Sequence, residues 1–288
     1  MRVLLLGGTG ILGTALRHSS PAGVMVSAPT RAQLDLTDVD AVERALRNTD
    51  ADWVLNAAAY TAVDAAETQE REARRLNADL PAVLGREAAA RGLPVLHVST
   101  DYVFSGLATR PWREDDACSP ASAYGRTKRD GEVRLLESGA SALILRTAWL
   151  YGATGKSFPR TMWARAQRGE PARVVSDQHG APTSATDLAS WCWALMHSTA
   201  RGVLHAANAG ATTWADVAER VYRRAGSTDA VTRVSSAEFA AAAPRPRYSV
   251  LNCARLDVAL QEGGGPARRR WEDALDEFLD VLAAEVRT

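Results

Sequence analysis

The chain has 288 residues, 46% of them apolar and 24% charged, the proportions of a globular protein with one large core or two modest ones. Its 34 basic residues balance 34 acidic ones, so no overall field recruits nucleic acid or an anionic membrane. Three widely spaced cysteines, Cys118, Cys192 and Cys253, lack any Cys-x-x-Cys pattern and suit reduced thiols in a cytoplasmic protein, not a disulfide frame or a zinc site.

The apolar run Val3–Leu6 leads straight into glycines and reads as a first strand, with no signal-peptide cleavage site after it. No apolar stretch approaches the ~18 residues of a membrane span. Strands are expected at Arg2–Gly7, Val24–Ala28, Trp53–Asn56, Val95–Ser99 and Ala142–Arg146. Helical patterns lie between them near Leu12–Arg17, Val39–Arg47, Glu70–Arg91 and Ser122–Glu137. Strands apolar throughout that alternate with helices predict a doubly wound α/β fold, a Rossmann-like parallel sheet covered on both faces.

After about residue 150 the pattern loosens. Helices are expected at Phe158–Arg168, Ser184–His197, Trp214–Ala225 and Trp271–Val286, with short strands at Arg173–Val175 and Gly202–Ala206. Pro244-Arg245-Pro246 and Gly263–Pro266 mark loops. The expected division is a dinucleotide-binding domain over 1–150 and a smaller mixed α/β substrate lobe over 151–288, some of whose segments return to the main sheet. The basic run Arg268-Arg269-Arg270 reads as a solvated loop before the last helix.

Gly7-Gly8-Thr9-Gly10-Ile11-Leu12-Gly13 follows the first strand and opens a helix. Glycines there permit a tight turn and let backbone N–H groups reach a pyrophosphate at the helix N-terminus. The strand-turn-helix context raises this above a bare glycine pattern. Past the second strand, Arg31 suits the 2′-phosphate of NADPH; the competing reading is a solvated surface arginine, and NADH stays open. Asp35 and Leu36 lie where a carboxylate and an amide meet an adenine ring. The small residues Ala57, Ala58 and Ala59 leave room for a cofactor against the sheet.

Lys128 is one of two lysines in the chain and follows Tyr124 by one helical turn, on the same helix face. A phenol beside a fixed ammonium is a proton donor whose pKa is drawn from ~10 toward neutrality, as carbonyl reduction requires. Thr100, Asp101 and Tyr102 follow the fourth strand at the end where open α/β sheets bind ligands, although Thr100 could equally cap the next turn.

Together these residues resemble an extended short-chain dehydrogenase/reductase, and more closely the dTDP-4-dehydrorhamnose reductase family. The motifs that carry the resemblance are the glycine turn, Ala59-Tyr60-Thr61-Ala62-Val63-Asp64, Ser99–Phe104, Tyr124 to Glu132, Arg146-Thr147-Ala148-Trp149, Asp177–Thr183 and Arg245–Ser249. The resemblance implies NAD(P)H-dependent reduction of the C4 ketone of a dTDP-linked 6-deoxysugar to dTDP-L-rhamnose. It implies Tyr124 as proton donor, Lys128 holding the nicotinamide ribose and lowering the Tyr124 pKa, and Thr100 on the substrate oxygen. It also implies cofactor contacts at Gly7, Gly10, Ile11, Leu12, Gly13, Ala59, Tyr60 and Thr61.

Trp149 would contact the sugar, and Arg245 and Arg247 are candidates for the diphosphate, since guanidinium groups pair well with phosphate. Asn77 is a candidate for a structural asparagine linked to the lysine through water, or else a helix-surface residue. Asp177, His179 and Pro182 would shape a loop between the lobes. Some relatives dimerise around a magnesium ion held by glutamates, one of them just after the glycine turn. Here Gly13-Thr14-Ala15 offers no acid, and Asp187 is the only one in Thr183–Leu188, so no metal is carried over. Monomer and homodimer both remain open. The close alternative is a 4-ketoreductase for another dTDP-deoxysugar of secondary metabolism. The alternative of a different class is a non-catalytic dinucleotide-binding regulatory subunit.

Overall fold

The computed structural model describes residues 1–227 and 230–285. Its main sheet has six parallel strands: β1 (Arg2–Leu6), β2 (Met25–Ser27), β3 (Trp53–Asn56), β4 (Val95–Thr100), β5 (Ala142–Thr147) and β6 (Gly202–His205). They lie in the order β6-β5-β4-β3-β1-β2. The order reverses between β1 and β3, and such a switch point is where open parallel sheets bind ligands beyond their strand C-termini.

Alternate residues of each strand face opposite sides, and both sides of the central strands β1, β3, β4 and β5 are buried. Val3, Leu5, Leu55, Leu96 and Leu143 meet helix α1 (Ile11–His18) and the apolar helix Ala185–Leu195. Leu4, Leu6, Val54, Val95 and Ile144 meet α2 (Val39–Asn48) and α3 (Leu80–Arg91). This two-sided burial is why the strands read as unbroken apolar runs. Leu5 is fully buried, and its truncation to alanine should cost about 2–5 kcal/mol.

Helix α4 (Ala123–Glu137) carries Tyr124 and Lys128. Ser122 caps it by accepting a bond from the Gly125 N–H at 3.2 Å. Gly125 is required by a close approach: a Cβ there would lie 2.2 Å from the Tyr102 carbonyl oxygen. Glu132, fully buried, ties the helix to β5 by accepting from Arg146 Nε at 2.9 Å and Nη2 at 2.8 Å.

The chain after β5 builds a second core from helices Phe158–Gln167, Trp214–Arg224 and Trp271–Glu285 and the parallel strands Ala172–Val175 and Val231–Val234. Between its parts the chain returns to the main sheet, where β6 pairs with β5. The Asp177–Thr183 string joins the lobes. His179–Gly180 pairs with Thr212–Thr213, Thr183–Ser184 pairs with Leu150–Tyr151, and the Asp177 carboxylate accepts from Ser236 N–H at 2.9 Å and Oγ at 2.7 Å.

Several expectations need correction. Helix Ala254–Glu262 and strand Val231–Val234 were not foreseen. The helix expected over Glu70–Arg91 contains a π-helical turn at Arg75–Asp79. The basic run is a loop before the last helix, but only Arg270 is exposed: Arg268 pairs with Asp257 at 2.7 Å, and Arg269 pairs with Asp187 at 2.9 Å and with Glu277. Asp187 also accepts from Asn208 Nδ2 at 2.6 Å, so its carboxylate ties a main-sheet helix to the segment before the last helix.

Candidate active site

A groove of about 270 Å³ opens at the switch point, lined by Gly7, Gly10, Arg31, Asp35, Leu36 and Ala59 among others. Gly7 has φ +82°, and a Cβ on Gly13 would sit 2.1 Å from the Gly7 carbonyl oxygen, so the turn folds tightly onto the first turn of α1. The α1 N-terminus has no side-chain cap, which leaves its amides directed at the groove. A dinucleotide pyrophosphate fits this cradle. The Asp35 carboxylate accepts from Thr37 N–H at 2.9 Å and Oγ1 at 2.8 Å, bonds that hold its pKa below the usual carboxylate value. Arg31 is exposed at the rim.

Several residues named for the cofactor do not line this groove with their side chains. Leu12 is 4% exposed and belongs to the core, leaving only its backbone near the groove. The Tyr60 hydroxyl donates to Gln69 Oε1 at 2.7 Å, and Tyr60 and Thr61 lie beyond the groove wall. Ile11 packs toward the loop after β5, where a Cβ on Gly152 would lie 2.8 Å from its Cγ2.

Thr100, at the end of β4, caps the following turn: its hydroxyl accepts from Tyr102 N–H at 3.2 Å and donates to Asp101 Oδ1 at 3.0 Å. The capping role and a place beside Tyr124 coexist, because the Thr100 hydroxyl also lies near enough to the Tyr124 phenol to lower its pKa. Tyr124 packs edge-on to Tyr102, with ring centroids 5.5 Å apart. Burial pushes the Tyr124 phenol up to about 12, the nearby Thr100 hydroxyl opposes that, and the Asp101 charge adds to it. Burial also pushes the Asp101 carboxyl up to about 6.

The net shift of the phenol is thus upward, set by burial and Asp101, and Lys128 is not among its causes. The lysine is 1% exposed, and its Nζ faces Val98 O at 2.7 Å and His97 Nε2 at 3.2 Å instead of the phenol. Burial lowers the Lys128 pKa to about 8. Nor is Asn77 a helix-surface residue. It is fully buried in the π-turn, accepts from Tyr60 N–H at 2.9 Å, and donates to Tyr60 O and Thr127 Oγ1, each at 3.1 Å. It ties the groove wall to α4 without touching Lys128 itself.

A second cavity of about 420 Å³ adjoins Tyr102 and is walled by Phe158, Met162, Val174, Trp214 and Arg245. Trp149, at φ +48°, packs against both cores and stacks on Trp214. Arg245 lines this cavity and pairs with Asp64 at 2.8 Å, whereas Arg247 lines a separate groove with Asp177 and His179. The two arginines thus serve different surfaces. Trp214 was missed as a site residue because, in sequence, it reads only as the start of a helix. His97 was missed because a lone strand histidine gives no signal.

A family model described as the RmlD substrate binding domain matches residues 1–284. A dTDP-4-dehydrorhamnose reductase of Streptomyces griseus is 39% identical, with 98% of this chain and 94% of that protein aligned. The chain belongs to the dTDP-4-dehydrorhamnose reductase family. Another relative, 46% identical over 99% of this chain and 97% of its own length, is the "Probable dTDP-4,6-dihydroxy-2-methyloxan-3-one 4-ketoreductase" of Streptomyces antibioticus. The crystal structure of dTDP-4-dehydrorhamnose reductase from Bacillus anthracis, in complex with NADP, superposes with a TM-score of 0.91 at 31% identity, covering 96% of this chain and 98% of that one. Family membership makes the chain an oxidoreductase with a Rossmann-like fold, and no helix among the described residues is long and apolar enough to cross a membrane.

Proposed function

We propose that the protein reduces the C4 ketone of a dTDP-linked 4-keto-6-deoxysugar with NADPH, the primary candidate being dTDP-4-dehydrorhamnose. The observation that carries this reading is the placement of Thr100 beside Tyr124, with Lys128 one turn along the same helix, in a chain that also opens a dinucleotide groove at the switch point. A non-catalytic dinucleotide-binding role would not require that set.

NADPH supplies a hydride when bound; the Gly7–Gly13 turn would hold its pyrophosphate and Arg31 its 2′-phosphate. Tyr124, kept protonated by burial, hands its proton to the substrate oxygen, because an alkoxide is a far stronger base than a phenolate. Thr100, beside the phenol, orients that transfer. Lys128 would hold the cofactor ribose. Trp149 and Trp214 bound the sugar at the lobe junction, and the cavity lined by Arg245 takes the nucleotide diphosphate. Three free cysteines suit a reducing cytoplasm.

The 46% identity to the Streptomyces antibioticus ketoreductase favours a second reading, in which the keto sugar belongs to a different deoxysugar. Both readings are tested by following NADPH oxidation against a panel of dTDP-4-keto sugars and assigning product stereochemistry by NMR. A rhamnose-configured product from the preferred substrate supports the first reading. Preference for a 2-deoxy substrate selects the second. No oxidation with any of them overturns both.

A further inference from the structure

Three buried polar side chains behind the candidate active site form a chain that crosses the sheet. Asn56 ends β3, His97 lies in β4 and Lys128 lies on α4; all are at most 1% exposed. Asn56 Nδ2 is 3.0 Å from His97 Nδ1, and Lys128 Nζ is 3.2 Å from His97 Nε2. The orientation of the Asn56 amide is fixed by its other end, where Oδ1 accepts from the Ala58 N–H at 3.1 Å. Ala58 belongs to the Ala57–Ala59 wall of the dinucleotide groove.

The donor count has one solution. With its oxygen committed to Ala58, Asn56 offers an N–H to His97 Nδ1, so Nδ1 must be the accepting nitrogen. A neutral imidazole then carries its proton on Nε2. That Nε2–H points at Lys128 Nζ, which can accept it only as a neutral amine. The amine still donates to the Val98 carbonyl at 2.7 Å. An ammonium has no lone pair, so a protonated Lys128 requires Nε2 as acceptor, the proton on Nδ1, and the Asn56 carbonyl turned toward His97. That turn withdraws the acceptor from the Ala58 N–H.

We propose that His97 and Asn56 are positioning residues that couple the protonation state of Lys128 to the Ala57–Ala59 wall of the cofactor groove. Net uptake is one proton: the Nε2 proton passes to Nζ, and a proton enters at Nδ1 as the Asn56 amide turns. The imidazole stays neutral throughout, since burial and then the Lys128 charge hold His97 well below its ordinary range. The other charged group facing Lys128 is Glu132, which raises the lysine pKa and is itself engaged by Arg146 and Arg129. Burial of the lysine places the switch near pH 8. A regulated groove wall matters only if Lys128 serves the cofactor, so the functional meaning rests on the reductase reading, whereas the switch itself does not.

The test is a pH titration of ligand-free protein carrying ¹⁵N-labelled histidine, following the His97 ring nitrogens and the Ala58 amide. The expected result is an Nε2–H tautomer at alkaline pH that gives way to Nδ1–H as pH falls through about 8, with the Ala58 amide signal moving at the same midpoint. In Lys128→Met the tautomer should stay Nε2–H at every pH. In Asn56→Asp, where the carboxylate accepts from Nδ1–H, it should stay Nδ1–H, and the alkaline limb of kcat/KM should rise by about one unit or more. If Asn56→Asp does not fold, the wild-type and Lys128→Met titrations decide alone. A pH-invariant tautomer in the wild type, or a switch that survives Lys128→Met, overturns the proposal. A working switch in a protein that reduces no keto sugar would instead sink the reductase reading and leave the relay standing.

Discussion

Trp149 and Trp214 stack with ring centroids 3.6 Å apart and planes 10° from parallel, joining the end of β5 to the first turn of a second-lobe helix. Trp149 adopts φ +48°, a conformation unusual for a bulky residue, and its ring lies over Gly180. The stack, worth about 0.5–1.5 kcal/mol beyond its buried area, holds that backbone in place.

Gly180→Ala tests this arrangement. A Cβ there would meet the Trp149 ring at 2.4–2.7 Å, and the indole cannot yield without leaving Trp214. We expect kcat/KM for the keto sugar to fall about tenfold or more, the loss expected when a positioned substrate wall shifts. NADPH affinity should be unchanged. Equal losses in cofactor and sugar binding would mean that the tryptophan pair supports the whole fold and not the sugar site.

Asp101 gives a pH signature. Its carboxyl stands at about 6 in the folded protein, because burial disfavours the charge, against ~3.9 in an unfolded chain. The native state therefore holds a proton that the unfolded chain has already lost, and stability falls as pH rises between those values. Asp101→Asn removes the penalty, and the new amide oxygen can still accept from the Thr100 hydroxyl. The variant should melt higher than wild type at pH 8, by up to about 3 kcal/mol of stability, with the gain vanishing below about pH 4. Calorimetric melts across that range decide it; a variant less stable at pH 8 contradicts the assignment.

Much of this was legible in the sequence, for local reasons. The glycine turn announces itself because only glycines allow Gly13 to pack on the Gly7 carbonyl, and a four-residue spacing puts Tyr124 and Lys128 on one face of a capped helix. What a long side chain touches at its far end was not legible. Lys128 turns to His97 and Val98 because β4 passes beneath α4, a fact of the sheet order and not of spacing. For the same reason Arg245 and Arg247, two residues apart, reach different grooves, and Arg269 finds Asp187 far along the chain. The π-turn that buries Asn77 sits in a stretch whose pattern reads as ordinary helix.

Arg31 should decide cofactor preference. It is exposed at the groove rim, so its pairing with a 2′-phosphate should contribute roughly 1–3 kcal/mol. Arg31→Ala should depress kcat/KM for NADPH and spare NADH. Steady-state kinetics with both cofactors settles the point; equal losses would make Arg31 a surface charge only.

The separation of the two arginines makes a paired prediction. Arg245→Ala removes a cavity residue and leaves Asp64 with only the Ala243 N–H, so kcat/KM for the dTDP sugar should fall about tenfold or more, in kcat as well as KM, since remote binding orients the reacting centre. Arg247→Ala, in the neighbouring groove, should have the smaller effect. The reverse ranking would move the diphosphate to the groove lined by Asp177 and His179.

The most direct measurement of the central claim is a single-turnover comparison of wild type and Tyr124→Phe with NADPH and dTDP-4-dehydrorhamnose, alongside cofactor binding by fluorescence. The ring contact with Tyr102 survives the substitution, while the proton donor beside Thr100 is lost. The account predicts hydride transfer slowed by about 10²–10⁴-fold, as for loss of a general acid, with NADPH affinity nearly intact. Transfer within a few-fold of wild type would remove Tyr124 from the chemistry and contradict the account.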